Sequence, residues 1–328
     1  MFESIMKRIG VFTSGGDSPG MNAAVRAVVR TCFYNNVQVF GIYEGYKGLI
    51  EGNIKELQSS DVSNIIQRGG TILKSARCKE FHLTEGRQKA FENIQRFELD
   101  GIVAIGGDGT FTGASIFNKE HNIPFIGIPG TIDNDLYGTD NCIGYDTALN
   151  TVIEAVDKIR DTASSHNRLF LVEVMGRDAG FIALRSGIGV GAEAILIPET
   201  QTYINELVDK LESGKKKHKQ SMIVIVAEGD DAGNAHEIAE KLKGKCPAYD
   251  TRVTVLGHIQ RGGSPSAADR VLASHLGYAA VNALLAGKTN VMVGIVNKEV
   301  AYTPFEKAIK HHREINKNLL ELAEVLSC

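Results

Sequence analysis

The chain has 328 residues, 36 basic and 39 acidic, a net charge of −3 and a hydrophobic fraction of 43%. The length accommodates two domains with ordinary cores, and the near-balanced charge argues against a general affinity for nucleic acid or a membrane surface. No apolar run approaches the roughly 18–20 residues that span a bilayer, and residues 1–8 are not followed by a signal-type apolar segment, so the chain reads as soluble and unexported.

In chain order, Ile9–Thr13 reads as a first buried strand. It runs into Thr13-Ser14-Gly15-Gly16-Asp17, and a helix is expected to open near Met21. Further strands are expected at Val37–Tyr43, Ile102–Ile105 and Phe125–Ile128. In Thr147–Ala163, apolar Ala148, Val152, Ala155, Val156, Ile159 and Ala163 recur at helical spacing. A second sheet is expected to begin near Gly144, with strands at Leu169–Val174, Ala194–Ile197 and Met222–Ala227. Arg252–Ser264 reads as a crossing segment ending in a Gly-Gly turn, Val291–Val296 as a strand, and Lys307–Leu326 as one polar-faced helix. Such alternation predicts an α/β protein of two Rossmann-like three-layer α/β/α domains with mostly parallel sheets. The five cysteines form no Cys-x-x-Cys pair, so free thiols in a reducing cytoplasm are expected.

Three strand ends open into turns rich in glycine or aspartate, and in α/β sheets ligands bind there. In Thr13–Asn22, two glycines admit a phosphate close to the backbone, and the helix start offers free N–H groups; the alternative is a tight packing turn. In Gly106-Gly107-Asp108-Gly109-Thr110, Asp108 can hold Mg²⁺ while glycine amides meet nucleotide phosphates, or it can simply cap a helix. In Pro129-Gly130-Thr131-Ile132-Asp133-Asn134-Asp135, two carboxylates stand two residues apart, as base and metal partner for phosphoryl transfer or as an Asx-turn. Arg77, Arg168, Arg177, Arg252, His258 and Arg261 are candidates for phosphate or surface ion pairs. The run Lys215-Lys216-Lys217-His218-Lys219 reads as a solvated loop or an anion site.

Taken together, these motifs resemble the bacterial ATP-dependent 6-phosphofructokinases over nearly the whole chain. The resemblance is carried by 13–22, Arg68-Gly69-Gly70-Thr71, 105–110, 129–135, Glu173-Val174-Met175-Gly176-Arg177 and Gly257-His258-Ile259-Gln260-Arg261-Gly262-Gly263-Ser264-Pro265. It implies a cytoplasmic, glycolytic, Mg²⁺-dependent kinase with an ATP-binding domain (1–143 plus about 259–306) and a fructose-6-phosphate-binding domain (144–258 plus about 307–328). ATP is then expected on Gly16, Arg77, Cys78, Gly107, Asp108, Gly109 and Thr110, with the metal on Asp108. Asp133 is implied as the general base, Thr131 and Arg177 as stabilisers of transition-state charge, and Asp135 as an aid near metal and substrate. Met175, Gly176, Arg177, Glu228, His258, Ile259, Gln260 and Arg261 are implied around the sugar phosphate with Thr131 and Asp133. Arg168 and Arg252 are implied to reach in from a neighbouring subunit of a homotetramer.

Relatives using pyrophosphate carry Asp where this chain has Gly109 and Lys where it has Gly130, so both glycines favour ATP. A kinase of another substrate, a pyrophosphate-dependent relative and a non-catalytic sensor are the competing readings. The resemblance also implies an ADP or phosphoenolpyruvate effector site at Arg26, Arg30, Arg160, Gly191, Glu193, Lys217 and Lys219. Ser59 stands where an arginine is expected and Ser221 where a histidine is frequent, so effector binding is expected to weaken by ~1.5–3 kcal/mol, the scale of a charged hydrogen bond. Cys78 replaces an aromatic residue, and Asp178 falls at a variable position.

Overall fold

The computed structural model describes residues 6–163, 168–216, 221–246, 249–310 and 314–327. Its strands are β1 (Arg8–Thr13), β2 (Gln38–Ile42), β3 (Ile54–Glu56), β4 (Gly101–Gly106), β5 (Phe125–Pro129), β6 (Arg168–Val174), β7 (Ala194–Leu196), β8 (Ser221–Ala227), β9 (Asp250–Val255), β10 (Val291–Val296) and β11 (Glu299–Pro304). Its α-helices are α1 (Met21–Tyr34), α2 (Tyr46–Glu51), α3 (Thr84–Arg96), α4 (Asp108–His121), α5 (Tyr145–Ala163), α6 (Phe181–Gly189), α7 (Ile204–Lys216), α8 (Ala235–Leu242), α9 (Ala267–Leu285), α10 (Phe305–Lys310) and α11 (Lys317–Leu326).

The described residues form two compact units. One draws on Met1–Thr131, Leu136–Asp146 and Arg261–Arg313, the other on Ile132–Asp135, Thr147–Gln260 and Glu314–Cys328. The breaks fall two to seven residues from the expected ones, and Ile132–Asp135 groups with the second unit.

The first unit holds a seven-stranded sheet in the order β11-β10-β5-β4-β1-β2-β3. Its five central strands are parallel; β3 and β11 close the edges antiparallel. Alternation along the strands divides the apolar side chains between two faces. Ile9, Val11, Val103, Ile105, Ile126 and Ile128 pack with α1 and α9. Phe12, Ile102, Ala104 and Phe125 pack with residues of α2, α3, α4 and α10. The continuous apolar run of β4, buried at every position, follows from covering on both sides.

The second unit holds four parallel strands in the order β7-β8-β6-β9. Leu169, Leu171, Met222, Val224 and Val226 meet α7 and α8 on one face. β9 lies at an edge and is largely exposed.

Three strands escaped the sequence reading, each for a physical reason. β9 (DTRVTV) is an edge strand with no continuous apolar run; β3 is three residues long; β11 ends in Pro304, tolerated where no ladder donor is needed. The crossing segment Arg252–Ser264 is built from the end of β9 and a short 3-10 turn at Gly257–Arg261. The single helix expected at Lys307–Leu326 is instead α10 and α11, which fall in different units. α11 starts afresh at Asn316, whose side chain accepts from the Asn318 N–H.

Candidate active site

In the first unit, β5, β4 and β1 are neighbours and parallel, so their three turns emerge on one edge of the sheet. The turns are stitched together: the Ser14 N–H donates to the Ile105 carbonyl (2.9 Å) and the Gly130 N–H to the Gly106 carbonyl (2.9 Å). Gly15 and Gly20 have φ of +83° and +110°, which L side chains rarely adopt. α1 opens directly after Gly20 with no side-chain cap; the Met21 N–H donates to the Ser18 carbonyl (3.2 Å) and the Ala24 N–H to the Gly20 carbonyl (3.1 Å). Gly107, not Asp108, is the N-cap of α4. Asp108 occupies the first turn as a half-buried carboxylate, so the capping alternative is not what forms. Gly109 is exposed, and a β-carbon there would meet nothing within 4 Å. Thr110 is buried, and its carbonyl accepts a 2.5 Å hydrogen bond from Tyr46 Oη. Burial pushes the Tyr46 phenol well above its usual range, keeping it a neutral donor. Thr131 stands against Gly107, with their β-positions 3.7 Å apart.

The segment bearing Arg77 (exposed) and Cys78 (half-buried) is organised by two residues to which the sequence reading gave no role. Asn22, 1% exposed on α1, donates to the carbonyls of Arg68 (3.0 Å) and Gly69 (3.2 Å) and accepts from the Ile72 N–H (2.7 Å). Thr13 Oγ1 lies 2.8 Å from Thr71 Oγ1 and donates to the Lys74 carbonyl (2.8 Å). The available signal was a polar side chain at a buried position of a helix otherwise apolar around it. Arg261 belongs to this unit; its guanidinium covers Gly16 and Nη1 reaches the Asp17 carbonyl at 3.5 Å.

The second unit carries the other candidates. Asp133 and Asp135 are half-buried and flank Asn134, buried with φ +56°, a left-handed conformation that asparagine accepts readily. After β6, Gly176 and Arg177 have φ of +148° and +56°. Their N–H groups both donate to Glu228 Oε1, at 3.3 and 2.7 Å. His258 and Ile259 are exposed. Gln260, expected on the substrate, is fully buried: it accepts from the Met175 N–H (3.3 Å) and donates to the Gly257 carbonyl (3.1 Å). It braces the Met175 and His258 turns.

Arg168 and Arg252 are elsewhere in this unit. Arg168 begins β6 and Met175 follows its end, so at about 3.3 Å per residue they lie about 20 Å or more apart. Asp250 Oδ2 is 2.6 Å from Arg252 Nη2 and 3.8 Å from Arg168 Nε.

Of the effector candidates, Arg26 is half-buried and Arg30 exposed on α1 in the first unit. In the second, the Arg160 guanidinium donates to the Val190 carbonyl beyond α6, and buried Glu193 accepts from the Ile223 N–H (2.7 Å). Gly191 has φ +59°. Lys217 and Lys219 lie outside the described residues.

Among the described residues no group of three or more His, Cys, Asp or Glu is arranged to hold a metal. Asp108 alone fits an ion that takes one or two carboxylates and otherwise phosphate and water oxygens. No helix of the described residues is long and apolar enough to cross a membrane.

A parallel sheet with glycine-rich turns and helix N-termini along one edge defines a doubly wound α/β protein that binds phosphorylated ligands. The family model for phosphofructokinase matches residues 8–284, and the chain belongs to that family. It is 59% identical, over 98% of its length and 99% of the other chain, to "ATP-dependent 6-phosphofructokinase 2" of Bacteroides thetaiotaomicron. It is 55% identical, over 98% and 100%, to "ATP-dependent 6-phosphofructokinase 1" of Thermus thermophilus. Among solved structures, phosphofructokinase from Saccharomyces cerevisiae superposes with a TM-score of 0.88 at 39% identity, covering 93% of this chain; this chain spans 45% of the yeast one. Pyrophosphate-dependent phosphofructokinase from Marinobacter aquaeolei shares the fold, with a TM-score of 0.83 at 22% identity over 95% of this chain and 86% of that one.

Proposed function

We propose that this chain is an ATP-dependent 6-phosphofructokinase. It transfers the γ-phosphoryl group of ATP to the 1-hydroxyl of fructose 6-phosphate, giving fructose 1,6-bisphosphate and ADP. The observation that carries the reading is the stitched edge of β5, β4 and β1, with Asp108 in the first turn of α4, in a chain more than half identical to proteins of that name.

Asp133 takes the proton of the 1-hydroxyl as its oxygen attacks the γ-phosphorus; the bond from phosphorus to the β,γ-bridging oxygen breaks and ADP leaves. Arg177 offsets the charge growing on the equatorial oxygens and the Thr131 hydroxyl donates a hydrogen bond to it, and Asp135 orients the acceptor. Gly16, Gly107, Gly109 and Thr110 hold the donor phosphates, with Arg77 and Cys78 on the rest of the nucleotide. Asp108 would hold Mg²⁺, which when bound neutralises phosphate charge. Met175, Glu228, His258 and Arg261 bind the sugar phosphate.

ATP rather than pyrophosphate is supported by the open space at Gly109, which the nucleotide's α-phosphate can use. The separation of Arg168 from Met175 along β6 supports their serving different copies of the site in a cytoplasmic homotetramer. An effector, ADP or phosphoenolpyruvate, would bind at the set that includes Arg26, Arg30 and Arg160.

The test is turnover of fructose 6-phosphate with Mg²⁺ and either ATP or pyrophosphate, run in parallel and with each effector. Product with ATP alone supports the assignment. Product with pyrophosphate overturns the donor, and product with neither overturns the activity.

A further inference from the structure

Glu228 follows β8; the residue is exposed, yet one carboxylate oxygen is taken up by the backbone of a neighbouring turn. Oε1 accepts from the Arg177 N–H at 2.7 Å and from the Gly176 N–H at 3.3 Å. These amides belong to the two residues of that turn with positive φ, +148° at Gly176 and +56° at Arg177. A left-handed arginine is uncommon and persists only where its surroundings over-determine it. The surroundings do so from three directions. The carboxylate grips the two N–H groups. A β-carbon at Gly176 would lie 2.3 Å from the Ala179 carbonyl oxygen. A β-carbon at Gly229 would lie 2.2 Å from the Arg177 carbonyl oxygen, so the loop after β8 is fitted against this turn without room for a side chain.

The Arg177 side chain itself is 72% exposed, and its ion pair is with the adjacent, almost fully exposed Asp178, at 3.6 Å. Exposed pairs of this kind fix little. What holds Arg177 in place is therefore its backbone, which sets the direction in which the side chain leaves the chain, and not side-chain packing.

We infer that Glu228 is a positioning residue for Arg177: it locks the left-handed Gly176–Arg177 backbone so that the guanidinium is aimed before substrate binds. This rests on the kinase reading above, in which Arg177 meets the transferring phosphoryl group. A carboxylate suits the task, because a charged acceptor makes stronger hydrogen bonds to N–H groups than a neutral one. Glutamine keeps an oxygen at the same reach; alanine keeps none.

The experiment compares kcat and both KM values for the full-length enzyme and for Glu228→Gln, Glu228→Ala, Gly229→Ala, Arg177→Ala and the Glu228→Ala/Arg177→Ala double variant. Amide hydrogen exchange is followed in peptides spanning 174–180. Glu228→Ala is expected to lower kcat by about 10²-fold, the scale for an ångström of misplacement. Glu228→Gln is expected to restore most of it, and Gly229→Ala, far too small a change to reach substrate, to reproduce the loss. In the Arg177→Ala background, Glu228→Ala is expected to add less than about twofold, because residues acting as one unit are not additive. Exchange at 176–177 is expected to speed up in Glu228→Ala.

Glu228→Ala leaving kcat unchanged, with Gly229→Ala silent and the kcat losses of the double variant multiplicative, would overturn the inference; a rise in KM for fructose 6-phosphate reports only the sugar contact already given to Glu228. A wild-type chain that turns over no fructose 6-phosphate sinks the kinase reading instead. In that case the exchange comparison still decides whether the carboxylate locks the turn, and unchanged exchange would refute it.

Discussion

The Arg261 guanidinium lies over Gly16, with Nη1 2.2 Å from where a β-carbon on that glycine would stand. A residue assigned to the sugar phosphate thus rests on the backbone of the turn assigned to the nucleotide, which ties the two binding steps at one point. Gly16→Ala is expected to push Arg261 aside. KM for fructose 6-phosphate then rises at least about tenfold, the scale of one lost charged hydrogen bond. Steady-state kinetics with each substrate varied in turn checks this; a change confined to ATP would show that Arg261 serves the donor.

Asn22→Ala removes three hydrogen bonds from the interior and strands the carbonyls of Arg68 and Gly69 and the N–H of Ile72. A loss of about 2–4 kcal/mol in unfolding free energy is expected, one to two unsatisfied groups' worth after relaxation. Urea titration measures it. Because Asn22 organises the segment ahead of Arg77, KM for ATP is expected to rise more than KM for the sugar.

Asp133→Asn keeps the shape of the turn and removes the proton acceptor. A kcat lower by about 10²–10⁴, the range for a general base, is expected with both KM values within a few-fold. Full turnover in this variant would end the role given to Asp133.

Gly109 and Gly130, the two glycines proposed to favour ATP, are expected to behave differently. Gly109→Asp enters open space, so thermal stability holds while ATP turnover falls. At Gly130 a β-carbon would come within 3.2 Å of Ile105 Cγ2 and Met21 Cε. Gly130→Lys is therefore expected to destabilise by about 1–3 kcal/mol, the cost of overpacking. Melting temperatures and initial rates of both variants separate the effects.

Arg87 bonds Glu120 through Nε and Nη2 (2.6 and 2.7 Å), and its Nη1 donates to the carbonyls of Phe81 and His82. The guanidinium holds the Glu120 carboxyl below its ordinary value. A depressed carboxyl stabilises the fold above its unfolded pKa and stops doing so as pH falls through the folded one. Glu120→Gln is expected to lose about 1–3 kcal/mol at pH 7, the range for a charged hydrogen bond. The gap from wild type should close as pH falls below about 4.5, the unfolded value. Denaturation at pH 7 and at pH 3 tests the sign.

The buried strands were legible because a sheet covered on both faces writes unbroken apolar runs, as in β4 and β8. Edge strands β9 and β11 were not, because they are partly exposed and carry mixed sequences, whereas edge strand β7, short and mostly buried, was. The glycine-rich turns declared themselves through their composition; φ is positive at Gly15 and Gly20 but not at Gly16, Gly107 or Gly109. What could not be read were long-range pairings such as Asn22 with Arg68–Ile72 and Glu228 with Arg177. Each spans 46 or more residues, and nothing local in the sequence specifies them. Gln260, within the 257–265 motif, is the converse: a buried amide that joins the Met175 N–H to the Gly257 carbonyl, a bracing contact that the motif alone does not announce.

Arg168 at the head of β6 and Met175 beyond its tail point to an outcome for damaged genes. Where each site is finished by a neighbour's arginine, a copy broken at Arg168 and a copy broken at Asp133 fail in different halves of the site. Expressed together, they assemble some sites that draw every group from an undamaged position. Two lesions that each abolish growth on the sugar alone would then be survivable in the same cell.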